Sequence, residues 1–251
     1  MEALDAAAID VPGMRIRVLG RCTSTNELLL AEGDADVLLA AEEQTAGRGR
    51  RGRRWRSAPG KGVTFSMAKL VQRPLRELGA LSLAAGVGVA RALRALGATE
   101  VALKWPNDLV VGDAKLGGIL VQTRRQPPGV LAVIGIGINC RHDGALGERL
   151  RRPVAALEDY ASVDRNRLIG AVAGSVLHAI ALFEARGLEP LRADWESMHA
   201  HAGARLRVRL VNGRVLTGIA QGLSSDGALC LQTGSGLQAL AGERVISARP
   251  A

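Results

Sequence analysis

Residues 44–73 of this 251-residue chain hold nine basic side chains and no acid. Six are arginines crowded into residues 48–56: Arg48, Arg50, Arg51, Arg53, Arg54 and Arg56, interleaved with Gly47, Gly49 and Gly52. Guanidiniums at this density repel one another and are costly to desolvate unpaired, so the run is excluded from a core. It must lie on a surface or line a cleft, and its glycines let backbone approach whatever sits there. The remaining 24 basic residues equal the 24 acidic ones, so the net charge of +9 is confined to this one segment and the rest is balanced. That distribution reads as a compact anion site rather than a broad basic face.

Around this segment the chain is apolar enough to fold. Hydrophobic residues make up 47% and aromatics only 2%, so the core is expected from Leu, Val, Ile and Ala. Cys22, Cys140 and Cys230 are scattered without a CxxC pair, which excludes a disulfide framework and a zinc knuckle. The longest uncharged apolar run, residues 78–90, falls short of the roughly 20 residues that span a bilayer. Glu2, Asp5 and Asp10 stand where a signal peptide would be basic and then apolar. A cytoplasmic protein without membrane contact is expected.

Periodicity predicts mixed α and β structure. Ser24 and Glu27 have the spacing of a capping box at the start of a short helix. Residues 37–41, 63–70, 100–105, 109–111, 114–123 and 131–138 read as strands, and Gly112-Asp113 as a tight turn. Helices are predicted over 75–96 and 164–186, with a shorter one containing Pro190 and Trp195. The pattern changes near residues 199–203. Beyond it, four or five short strands, with a hairpin turn at Asn212-Gly213, suggest a small barrel.

Four segments carry possible chemistry. The arginine-glycine loop, Gln44 to Trp55, suits phosphate or carboxylate; a nucleic-acid patch and a plain solvated loop are the other readings. Lys104-Trp105-Pro106-Asn107-Asp108 ends a strand with an acid beside that loop, placed to hold Mg²⁺ or take a proton, or simply to make an Asn-Asp turn. Lys115 lies in an otherwise apolar strand and is one of only four lysines among 33 basic residues. It either finds an anion or reaches solvent from an edge. Gly135 and Gly137, ahead of Asn139, indicate close packing or close approach of a ligand. The four histidines are read as ordinary core or surface residues.

Together with Ser24-Thr25-Asn26, and in this order, these segments resemble the biotin protein ligases. The resemblance covers nearly the whole chain. It implies an α+β fold: a catalytic domain over residues 1–200, with a mixed β-sheet flanked by helices, and a small SH3-like β-barrel over residues 203–251. It implies ATP-dependent attachment of biotin, through biotinyl-5′-AMP, to a lysine of a biotin carboxyl carrier protein of acetyl-CoA carboxylase or a related carboxylase. By resemblance, Ser24, Thr25, Asn26, Gln44, Arg48, Gly49, Arg50 and Lys115 contact biotin. Arg50, Arg51, Arg53, Trp55, Lys104, Asn107, Asp108, Lys115 and Asn139 hold ATP or the adenylate, with Lys115, Asp108 and Arg50 catalytic and Asp108 a ligand for Mg²⁺. Only 23 residues precede Ser24, so no operator-DNA binding is expected, and a monomer or weak homodimer is. A lipoate ligase and a nucleic-acid-binding regulator are the rival readings.

Overall fold

The computed structural model describes residues 3–56, 58–144 and 153–251. A seven-stranded sheet organises the first part. Its strands are β1 (Arg15–Cys22), β2 (Val37–Gln44), β3 (Gly62–Val71), β4 (Ala102–Lys104), β5 (Asp108–Val111), β6 (Ala114–Gln126) and β7 (Gly129–Asn139), in the order β1-β2-β3-β7-β6-β5-β4. Only β1 and β2 run parallel. β1 was not foreseen, although its alternation of Arg with Ile and Val is a strand pattern. The strand predicted over 100–105 shrinks to three residues, because the chain turns at Pro106.

Alternation along the strands divides the sheet into two unlike faces. Leu38, Phe65, Met67, Ile134 and Ile136 belong to a large apolar cluster with α2 (Leu81–Ala95) and α3 (Arg165–Arg186). Val37, Leu39, Ala68, Leu131 and Val133 form a small cluster on the other side, under Leu29 of α1 (Thr25–Glu32). Each such fully buried aliphatic stabilises the fold by about 1.5–3 kcal/mol. The predicted helix over 75–96 begins as a 3-10 turn, Leu75–Ala80, before α2 proper.

By length and composition alone, Leu75–Ala95 and Arg165–Arg186 would pass for membrane spans, a signal the uncharged-run count missed. Gly88 explains their place: a Cβ there would lie 2.7 Å from the Val176 Cα, so α2 and α3 cross in backbone contact over the sheet. These are core helices. Asp164 caps α3 by accepting from the amides of Asn166 and Arg167.

A short helix α4 (Glu189–Ser197), with Pro190 in its first turn, leads to a second sheet. Its strands β8 (Arg205–Leu210), β9 (Val215–Leu223), β10 (Leu229–Thr233), β11 (Gly236–Leu240) and β12 (Val245–Pro250) are antiparallel, in the order β11-β10-β9-β8-β12. Four or five strands were expected and five form, but the expected barrel is not closed: among the described residues no ladder joins β11 to β12. Leu206, Val208, Leu229 and Leu231 join the large apolar cluster of the first sheet. Trp105 donates from Nε1 to the Gly227 carbonyl at 3.1 Å, and the Leu223 amide donates to Glu196 at 2.9 Å.

Of the four histidines, His199 and His201 are buried, while His142 and His178 are exposed, His142 beside Asp159. His199 is buried on Trp195, ring centroids 4.6 Å apart, and neither ring nitrogen has a hydrogen-bond partner. Burial lowers its pKa to about 4.

Candidate active site

The α1 face of the large sheet is open beyond the small cluster. There, between the sheet, the arginine loop and β12, lies a cavity of about 460 Å³. Every expected site residue except Asn139 lines it.

Its floor is β7. Where Leu131 and Val133 pack under α1, the next two residues on that face are Gly135 and Gly137. A Cβ on Gly135 would come within 2.1 Å of Asn26 Oδ1, and one on Gly137 within 2.3 Å of the Trp55 ring. The glycines therefore let two polar or aromatic side chains rest directly on the sheet backbone. Asn26 donates to the Leu120 carbonyl and to Gln122. Gln44 accepts from both the amide (2.7 Å) and hydroxyl (3.1 Å) of Thr25. Ser66 of β3 links them, donating to Asn26 Oδ1 at 2.6 Å and sharing a 2.7 Å hydrogen bond with the Thr25 hydroxyl. Ser66 was missed, although a serine inside the apolar strand 63–70 was a readable signal.

Ser24 stands at the N-cap of α1 as foreseen, but the capping box does not form. The Ser24 side chain makes no cap hydrogen bond and lines the cavity, while Glu27 pairs with Arg48. The charged partner outside the helix wins over the reciprocal cap.

Lys115 reaches the cavity because β6 carries a bulge. Leu109 pairs with Gly117 and Val110 with Lys115, which leaves Leu116 as an extra residue. Leu116 turns into the apolar cluster, and Lys115 emerges on the same face as Gly118 and its partner Asp108. The Lys115 ammonium pairs with the Asp108 carboxylate and stands 6.0 Å from the Trp55 ring centroid. Gly118 makes room: a Cβ there would lie 3.1 Å from Lys115 Nζ. Asn139 is elsewhere. Buried behind the cavity, it donates its amide to the Lys115 and Ala155 carbonyls at 3.2 and 3.3 Å.

The arginine loop folds as a small hairpin, with Gly49 donating to Arg53 and Trp55 to Gly47 through the backbone. At its tip Arg51 takes a left-handed φ of 59°, unusual for a residue with a side chain. Self-repulsion predicts a mobile loop; in this structure most of its guanidiniums find oxygen acceptors. Arg50 donates to Gly242 O at 2.7 Å and, more weakly, to Asn107 Oδ1 at 3.4 Å. Arg51 donates to Glu243 O, Arg53 to Ile246 O at 3.5 Å and Arg54 to Thr45 O at 2.7 Å. Three of these docks lie on or beside β12, a contribution of the second sheet that was not anticipated. Burial, with Arg51 alongside, lowers the Arg50 pKa, and Asp108 opposes the shift.

Asp108 and Asp113 are carboxylates on the cavity wall. Among the described residues, no group of three or more His, Cys, Asp or Glu is close enough to cage a metal. The donor set suits Mg²⁺ brought in on phosphates, which needs only one or two protein oxygens, rather than a resident ion.

A cavity with a polar amide-hydroxyl cluster at one end, and a lysine with several arginines at the other, suits a neutral polar group joined to anions. Comparison with known proteins gives the family. Residues 18–139 match the Biotin/lipoate A/B protein ligase family and residues 201–245 the Biotin protein ligase C terminal domain. The bifunctional ligase/repressor BirA of Escherichia coli is 36% identical over 92% of this chain and 74% of its own length. The biotin–[acetyl-CoA-carboxylase] ligase of Mycobacterium tuberculosis is 36% identical, over 88% and 84%. This chain belongs to the biotin protein ligase family. Its fold agrees with that of the Aquifex aeolicus biotin protein ligase, solved with biotin and ATP, at a TM-score of 0.81, covering 94% of this chain and 99% of that one at 26% identity. The protein is an ATP-dependent biotin ligase.

Proposed function

We propose that this ligase attaches biotin to a carrier-protein lysine in two steps within the one cavity. In the first, the biotin carboxylate attacks the α-phosphorus of ATP, giving biotinyl-5′-AMP and pyrophosphate. In the second, the ε-amine of the target lysine attacks the acyl carbon of this anhydride, and AMP leaves. The observation that carries the reading is the Lys115–Asp108 pair beside the arginine loop. Two anions must meet in step one, and a fixed cation between them offsets their repulsion. Step two releases a proton from the attacking amine, and a carboxylate within reach can take it.

The roles follow from position. Ser24, Thr25, Asn26 and Gln44 hold the ureido ring, with Ser66 fixing Asn26 and Thr25 in place. Arg48, Gly49 and Arg50 cover biotin and the adenylate. Arg50, Arg51 and Arg53 exchange neutral carbonyls for phosphate oxygens, a stronger, charge-assisted bond. Trp55 packs near the adenine, and Lys104, Asn107 and Asp108 serve the phosphates. Asp108 would hold the Mg²⁺ that accompanies the triphosphate, and that ion would supply neutralisation of phosphate charge. Asn139 fixes the Lys115 backbone on the nucleotide's side of the site.

Residues 1–200 are the catalytic domain, and residues 203–251 an SH3-like module that supplies the docks for the loop. The acceptor is a biotin carboxyl carrier protein of acetyl-CoA carboxylase or a related carboxylase, modified in the cytoplasm, where Cys22, Cys140 and Cys230 stay free. One chain supplies the whole cavity, so a monomer or weak homodimer suffices.

The test is pyrophosphate release with Mg-ATP and either biotin or lipoate, followed by the intact mass of an added carrier domain. Biotin-dependent release and a mass gain of one biotin are expected. Release with lipoate alone would reassign the substrate, and release with neither would overturn the reading.

A further inference from the structure

The outer face of the second sheet carries a feature that adenylate chemistry does not use. Arg205, Arg207 and Arg209 alternate along β8 with the buried Leu206 and Val208, so all three guanidiniums project to solvent on one face. Across the ladder, Arg249 of β12 stands directly opposite Arg207. Directly opposed like charges destabilise a sheet. None of these four arginines has an acidic partner among the described residues, and residues 203–251 hold six arginines against only Asp226 and Glu243. The surplus charge is therefore not confined to the loop, as the charge count over the sequence suggested.

Apolar side chains sit beside the stripe. Pairing aligns Arg205 with Ile219, Ile219 with Gln232 and Gln232 with Leu237, and Arg209 with Val215. Val215, Ile219 and Leu237 are 44%, 42% and 61% exposed, against near-complete burial of the leucines on the inner face. Exposed aliphatics flanked by arginine are the composition of a protein-binding surface. The face also continues to the reaction centre: Ser247 and Arg249, on the same side of β12, line the cavity. Residues 203–251 contain no aromatic side chain, so the face lacks the stacking platform that single-stranded nucleic acid would use.

We propose that this face docks the carrier domain, through an acidic surface with an aliphatic centre on the carrier, so that its target lysine enters the cavity past Arg249. The proposal rests on the two-step reading above. It gives the second sheet two separate duties: β12 serves the first step from its inner edge, and β8 recruits the acceptor for the second.

The test separates the steps. Full-length protein carrying Arg205→Ala, Arg207→Ala and Arg209→Ala is compared with wild type in two assays. These are biotin-dependent pyrophosphate release without acceptor, and steady-state transfer to the carrier domain of an acetyl-CoA carboxylase. Expected are unchanged release, a carrier KM raised about tenfold with kcat retained, and a weaker salt dependence of that KM. An unchanged carrier KM, with release intact, would overturn the proposal. If the triple variant also loses release, the single variant Arg207→Glu decides by the same criteria. Loss of binding to a short DNA duplex, with the carrier KM unchanged, would make this a nucleic-acid face and overturn the proposal. Absence of biotin-dependent release in wild type would instead overturn the ligase reading on which it depends.

Discussion

One strand, β7, has two careers. Its residues facing α2 and α3 are Ala132, Ile134, Ile136 and Ile138, all essentially buried. Its residues facing the cavity end in Gly135 and Gly137, with Asn26 and Trp55 lying on them. The difference teaches that stability and chemistry are separated here by the two-residue period of a strand rather than by domains. Side-chain volume on one face holds the sheet together; its absence on the other lets catalytic groups touch the backbone.

Mutations on the two faces should therefore fail in different ways. The largest expected effect is Lys115→Ala: adenylate formation should fall on the order of a hundredfold or more, with the melting temperature nearly unchanged. Pyrophosphate release at wild-type rates in that variant would remove Lys115 from the mechanism. On the opposite face, Ile136→Ala should cost about 2–5 kcal/mol in a urea titration while the folded fraction keeps its activity. Loss of activity without loss of stability there would erase the distinction between faces. Gly137→Ala should sharpen it. The added methyl displaces Trp55, so KM for ATP should rise about tenfold, with KM for biotin less affected. Equal changes in both would mean that the two ends of the cavity are not independent. The smallest effect is at the loop tip, where Arg51→Gly removes the left-handed strain and should shift stability by no more than about 1 kcal/mol. A large drop would mean that the Arg51 dock on Glu243 matters more than its backbone.

The same contrast explains what the sequence discloses. Lys115 is legible because a charge in an apolar strand violates the pattern, and Asp108 because an acid stands at a strand end beside the arginine loop. Ser66 violates it too, though less loudly. The Leu116 bulge is not legible, because an extra residue looks like any other until pairing is known, yet it decides which way Lys115 points. Asn139 shows the opposite: a polar residue at a strand end suggests a ligand, and the structure adds a second use, its Nδ2 donating to two backbone carbonyls. The contribution of Gly242, Glu243 and Ile246 leaves no trace at all, since a backbone carbonyl has no residue type. For the same reason the five C-terminal strands can be read from turns and alternation, whereas closure of their sheet cannot.

The carbonyls that hold the arginine loop have a consequence in time. The loop is made early, at residues 48–54, and three of its docks come nearly two hundred residues later, at 242–246. While the chain emerges from the ribosome, Arg50, Arg51 and Arg53 wait without these acceptors, although Glu27 and Thr45 are already there for Arg48 and Arg54. Only when residues 242–246 are in place do those three guanidiniums acquire fixed directions. Synthesis thus ends by fixing the loop beside the cavity, and an interrupted chain carries the arginines without the frame that aims them.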